Sequence, residues 1–316
     1  MEKTMKKTAL ILVTTIIVFA ALLWWGGALQ WAGESGYIVR ETVGKHGAGS
    51  GQFDEPTGIA VHEGRVFVAD ARNARIQVFD NGYPHRIFGR DVLERPMNLS
   101  IRDGLLYVAD YFTDSIEVFG LDGTHQRSIR AADRLNSPGG VDVFPDGSVL
   151  VADTYNHRIV HLDRDGHVLR QWGTTGKAGR GRDEFRYPTD VAILPDGGFV
   201  VAGGYAYRIK RFDAEGRLQA IWGGPFALGI PGSLPGWFNV ASSIALAPDA
   251  ESVFVVDMFN QRVQHFSLDG DLLGIFARPP VEPGRSLAGI DVAGNGAVWT
   301  TDMTRHEVVR WDTAQP

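Results

Sequence analysis

Beyond residue 36 the apolar positions fall into short runs, each bounded by Gly, Pro, Asn or Asp. Two kinds of run alternate. Some are almost wholly apolar, as in Val149-Leu-Val-Ala152, which suits a strand buried on both faces. Others alternate, as in Arg158-Ile-Val-His-Leu162, and end at an Asp-Gly turn. The stretches between them carry turn chemistry: Pro145-Asp-Gly147 and Pro195-Asp-Gly197 supply a preset φ and a permissive Gly. No helical period runs through residues 37–316, so the pattern predicts an all-β domain.

The runs form a repeat. Val-Ala-Asp ends an apolar strand at Asp70, Asp110 and Asp153, with degenerate copies at Gly203, Asp257 and Asp302, spaced by 40, 43, 50, 54 and 45 residues. Spacings of that size are those of propeller blades. Each unit reads as four strands. The first is Gly58-Ile-Ala-Val61 or its equivalent, and the fourth ends in a bulky residue before Gly, as at Phe88-Gly89, Trp172-Gly173 and Trp222-Gly223. Six units predict a six-bladed β-propeller, in which each sheet buries its faces against its neighbours. The last unit stops after its third strand, at Val308-Val-Arg-Trp311. Tyr37-Ile-Val-Arg-Glu-Thr-Val43 has the fourth-strand pattern and is expected to close the ring.

The motifs Pro56-Thr-Gly58-Ile-Ala-Val61, Val151-Ala-Asp153-Thr-Tyr-Asn156-His157-Arg158-Ile159 and Val78-Phe79-Asp80 resemble those of the NHL-repeat family. Asn73-Ala-Arg75 and Asn260-Gln-Arg262 repeat the Asn-x-Arg element, so the resemblance spans roughly residues 37 to 312. It implies the six-bladed propeller and leaves function open, because one fold hosts many functions. Some NHL propellers bind single-stranded RNA on a basic face. Here residues 31–316 hold 28 Lys and Arg (31 less Lys3, Lys6 and Lys7) against 36 Asp and Glu (37 less Glu2), a balance of −8. That sign opposes phosphate-dominated binding, and no nucleic-acid partner is expected. The basic loop at Lys177, Arg180, Arg182 and Arg186 reads as a solvated loop.

The chain opens with Lys3, Lys6 and Lys7, then an apolar stretch from Ala9 to Leu29. As a helix it would span roughly 30 Å, enough to cross a bilayer. Trp24, Trp25 and Trp31 stand at its far end, where an aromatic belt belongs. The lysines place the N-terminus in the cytoplasm and the propeller outside. The expected organisation is a signal anchor over residues 1–30, a short linker over 31–36, and the propeller over 37–316. A cleaved signal peptide, with Gly26-Gly27-Ala28 near the cut, is the alternative; the apolar stretch is longer than a typical signal core. With no cysteine, the chain has no disulfide, thiolate metal site or cysteine nucleophile.

Candidate chemistry is sparse. The strand-ending Asp residues recur once per blade and are expected to hold turns and pair with Arg75, Arg158 and Arg262. His157, His161, His265 and His306 lack metal-ligand spacing and read as packing residues. The mouth of the central channel, where first strands begin, offers Asn98, Asp190 and Ser243 as candidate ligand-binding residues. Six-bladed lactonases and peptidylamidoglycolate lyases hold a divalent cation at such a place. This donor set is thin for calcium or zinc, so no metal ligand and no cofactor is assigned, and a divalent cation in the channel stays the alternative. The long loop Pro225–Phe238 is apolar and rich in Pro and Gly. Phe226, Leu228, Ile230, Leu234, Trp237 and Phe238 are its candidate partner contacts. The loop otherwise plugs the channel or covers its own blade. The sequence therefore reads as a membrane-anchored, extracytoplasmic, non-catalytic module for a protein partner. An exported metal-dependent lyase or lactonase-like hydrolase, centred on Asp190 and Asn98, is the alternative.

Overall fold

In a computed structural model, which describes residues 36–278 and 287–314, the chain forms six four-stranded antiparallel sheets. Each sheet takes four strands in sequence order. The first blade runs Pro56–His62, Arg65–Asp70, Arg75–Asp80 and Tyr83–Phe88. The last blade is the exception, and it closes the ring. Its strands Leu287–Val292, Val298–Asp302 and Glu307–Thr313 are completed by Tyr37–Val43, paired Tyr37 to Thr313 and Val43 to Val308 around a bulge between Val39 and Glu41.

The core is six clusters, one at each blade interface. Between blades 3 and 4, for example, Leu150, Ala152 and Ile159 meet Phe185, Val191, Phe199 and Phe212. Burial on both faces explains why the second strands are continuous apolar runs. It extends to the third strands: Arg158–Leu162 is buried at every position but His161. The solvated strand is the fourth, as in Val168–Trp172, whose residues are nearly all exposed. Two third-strand imidazoles find partners within their own sheets. His161 Nε2 lies 2.7 Å from Ser148 Oγ, and His265 Nε2 lies 2.8 Å from Ser252 Oγ.

The strand-ending aspartates behave as turn anchors. Asp153 accepts from Asn136 N (2.7 Å), Asn156 Nδ2 (2.8 Å) and Arg158 Nε (2.6 Å). Asp70 and Asp257 repeat the arrangement with Arg75 (2.7 Å) and Arg262 (2.8 Å). The same arginines then grip the loop that enters their blade: Arg75 donates to the carbonyls of Ala48, Gly49 and Gln52. Each Asp-Asn-Arg set thereby ties a strand end, a turn and an incoming loop into one network.

Among the described residues, no helix is long and apolar enough to cross a membrane. The expected anchor over residues 1–30 lies outside the described residues.

Candidate functional site

The first strands line the central channel, and their starts surround its mouth. Backbones crowd there: a Cβ on Gly140 would stand 2.4 Å from Asp190 Oδ1, so only glycine fits. Hydroxyls bridge neighbouring blades. Thr57 Oγ1 donates to Pro96 O (2.8 Å), Thr154 Oγ1 to Pro188 O (2.8 Å), Thr189 Oγ1 to Ala241 O (2.6 Å) and Ser242 Oγ to Ala288 O (2.8 Å). This belt fixes the rim of a cavity of about 500 Å³.

The structure brings Asn98, Asp190 and Ser243 together, in two layers. Asn98 and Ser243 line the cavity floor. Asp190 lies beneath them, fully buried. Its Oδ2 accepts from Ser243 Oγ (2.7 Å) and Ile244 N (2.9 Å), its Oδ1 from Val191 N (2.8 Å), and the Asn98 side chain also donates to it. Burial pushes the Asp190 carboxyl up to about 7 despite these donors. The expectation that Asp190 meets a ligand is thereby corrected: its oxygens are engaged with blades 2 and 5. Asp142 and Asp291 do the same deeper in the channel, accepting Ile193 N and Val61 N from the next blade, each at 2.7 Å.

One side of the cavity is aromatic. Tyr111, Tyr155, Tyr187 and Tyr205 follow one another from blade 2 to blade 4, edge to face, with centroids 5.9, 5.2 and 5.6 Å apart. Tyr207 extends the arc behind Tyr205. Phe112 flanks Tyr111 at 5.5 Å, with Arg95 over its ring. Burial, then a hydrogen bond to Tyr155, pushes the Tyr111 hydroxyl up to about 12. Arg95 and Arg186 stand among these rings, and Arg95 is paired with Glu55 at 2.7 Å. Met97, Met258, Met303 and Val240 complete its apolar lining. The sequence carries a signal for the arc: Tyr111 directly follows Asp110, Tyr155 and Tyr205 each stand two residues after the strand-ending Asp153 and Gly203, and Tyr187 precedes the Pro that opens blade 4.

The loop Pro225–Phe238 does not enter the cavity; none of its residues line it. It lies over blades 4 and 5, its carbonyls gripped by the blade-5 network: Asn260 to Gly232 O, and Arg262 to Ser233 O, Leu234 O and Trp237 O. Phe226, Leu228, Ile230 and Leu234 face solvent. Phe238 is fully buried against Phe266 and is removed from the partner contacts. The reason is its register. Phe53, Phe185 and Phe238 each stand three residues before the first strand's opening Pro or Ala, and each fills a blade interface. Trp237 is half-buried.

The fold and the site define a six-bladed propeller with a cavity on the face where its inner strands begin. Residues 53–79 and 135–162 match the NHL repeat. The chain is 30% identical over 140 residues to the protein brain tumor of Drosophila melanogaster, and 34% identical over 139 residues to the B-box type zinc finger protein ncl-1 of Caenorhabditis elegans. Each match takes in 41% of this chain and only 13% and 16%, respectively, of those proteins. Among solved structures, a streptogramin B lyase superposes with a TM-score of 0.62 at 14% identity, over 87% of this chain and 97% of its own. The WD40 propeller domain of Doa1 superposes at 0.60, also with 14% identity, over 88% and 97%. At such identities the likeness is one of fold alone.

Proposed function

We propose that this chain is a non-catalytic binding module that receives an extended acidic segment of a protein partner at the channel mouth. The observation that carries it is the unbroken tyrosine arc along one wall of the cavity. Tyrosines offer large, rigid contact area at little entropic cost, and with arginine they dominate binding hot spots. Arg95 and Arg186 favour acidic residues in the partner. The lining methionines can adapt to varied apolar side chains. Among the described residues, those that line the cavity include no carboxylate or imidazole. The exposed Phe226, Leu228, Ile230 and Leu234 form a second contact on the same face.

In this reading residues 1–30 anchor the module in the cytoplasmic membrane, with the propeller on the outer side. The strand Tyr37–Val43 sets its orientation. Its Val43 end leads into the loop beside His306 on the cavity face, while Tyr37 lies by the opposite-face turn at Asn295 and Gly296. The chain thus reaches the propeller from the face opposite the cavity, which turns the cavity and the 225–238 loop away from the bilayer.

The test is affinity capture of full-length protein from detergent-extracted native membranes, compared with a Tyr155→Ala/Tyr205→Ala variant of unchanged thermal stability. A stoichiometric protein partner is expected, with retention reduced about tenfold or more in the variant. A partner held equally by both forms would remove the cavity from this function.

A further inference from the structure

The seam where the ring closes carries a second constellation, apart from the cavity. His306 sits on the turn between the second and third strands of the last blade. His46 and Asp54 sit on the stretch that leads from the closing strand Tyr37–Val43 into blade 1. One ligand atom from each lies within 4.8 Å of the others. His46 Nε2 is 3.8 Å and His306 Nδ1 is 4.0 Å from the same Asp54 Oδ1, and the two imidazole centroids are 4.4 Å apart.

The frame beneath them is fixed. Phe53 is fully buried, and its backbone pairs on both sides of His46: Phe53 N donates to Lys45 O (2.8 Å), and Gly47 N donates to Phe53 O (3.0 Å). Asp54 N donates to Asp70 Oδ1 at 2.7 Å, and Asp70 is itself held by Arg75.

His157 supplies an internal comparison. It occupies the same place in blade 3, four residues beyond the strand-ending Asp. Both histidines accept, at 3.2 Å, the N–H of the residue before the next blade's opening Pro: Tyr187 N for His157 and Glu55 N for His306. That bond accounts for a histidine at either place. It does not account for what faces the ring. At His157 the neighbour is Tyr187, edge-on at 4.4 Å. At His306 a second imidazole and a carboxylate converge instead.

We propose that His46, Asp54 and His306 bind a divalent transition-metal ion of the zinc class. Two imidazoles and one carboxylate suit zinc, nickel or copper better than magnesium or calcium, which favour all-oxygen sites. Ligand atoms on a tetrahedral zinc with bonds of about 2.0 Å lie roughly 3.3 Å apart, so the set must close slightly. The His46 side chain, 68% exposed, is free to make that movement. An ion at His306 Nδ1 displaces only the long bond from Glu55 N. Three protein ligands leave a position for water. The ion would cross-link the blade-1 approach to the last blade, across the seam that the closing strand otherwise holds.

The test uses metal-stripped full-length protein in detergent, titrated with Zn²⁺ by calorimetry and checked by elemental analysis. One zinc per chain is expected, with a rise in melting temperature and, with Co²⁺ as a spectroscopic probe, a visible band of nitrogen–oxygen coordination. His46→Ala, at an exposed position, should weaken binding tenfold or more and abolish the thermal shift. His157→Ala removes the equivalent interblade hydrogen bond and should leave binding unchanged. Absence of zinc binding, or binding that His46→Ala leaves intact, would overturn the proposal. So would binding lost instead with His167→Ala, in the exposed Asp163–Asp165–His167 cluster.

Discussion

Asp153 and Arg158 are both fully buried, with Nε and Oδ2 2.6 Å apart. Removing one partner strands the other charge in the core, which typically costs about 3–5 kcal/mol. Arg158→Ala is therefore expected to destabilise by that amount in denaturant melts. The Asp153→Ala/Arg158→Ala double variant should cost clearly less than the sum of the two single changes. Asp190 makes a different prediction. Its folded pKa of about 7 lies above the ordinary value of 3.8, because burial outweighs its donors. The folded state thus holds the proton more tightly between those values. The stability this supplies is complete below about pH 4 and is lost as pH rises through about 7. Asp190→Asn should remove that slope when its melting temperature is compared with wild type from pH 4 to 8. An unchanged difference between the two across that range would show that Asp190 is ionised throughout. The Asp–Arg pairs were legible because both members lie within one unit, five residues apart. Asp190's burial was not, because its partners Asn98 and Ser243 come from other blades and meet it only when the ring closes.

At the scale of the element, the loop Pro225–Phe238 does two jobs that its composition does not separate. Phe238 fills the blade 4–5 interface, so Phe238→Ala is expected to cost about 3–5 kcal/mol. Phe226, Leu228 and Leu234 are exposed, and Ser at all three should change stability by no more than about 0.5 kcal/mol for each site. Thermal or denaturant melts of the two variants check this directly, and a large loss in the triple variant would mean that the loop is packed. Deleting the loop whole would confound the two roles. A Pro- and Gly-rich stretch has no period from which burial can be read. The available signal was registration with the repeat, since Phe238 matches Phe53 and Phe185. The closing strand was legible for the same reason: Tyr37–Val43 fits the fourth-strand pattern that the last unit lacks.

The whole molecule is electrically and geometrically two-faced, and this bears on how it would sit at a membrane. The turns on the face opposite the cavity carry Asp146, Asp163, Asp196, Asp213, Asp249 and Asp269, with Arg164 and Arg217 held among them. Tyr37 enters from that same face. An anchor over residues 1–30 with a short linker would hold this acidic face toward lipid headgroups, which are themselves commonly anionic. Repulsion then opposes flat adsorption, and attachment rests on the anchor alone. The apolar side chains of the 225–238 loop lie on the far face and do not supply a second hold. A chain beginning at residue 31 keeps the closing strand and every described contact, so it should fold. It is expected to remain in the supernatant when mixed with anionic vesicles and centrifuged, at low and at physiological salt alike. Full-length protein should pellet at both. Sedimentation of the shortened chain at low salt would require a basic or apolar surface directed at the bilayer, and would reverse the orientation argued from Tyr37. If both forms pellet regardless of salt, the loop rather than the N-terminal stretch carries the attachment.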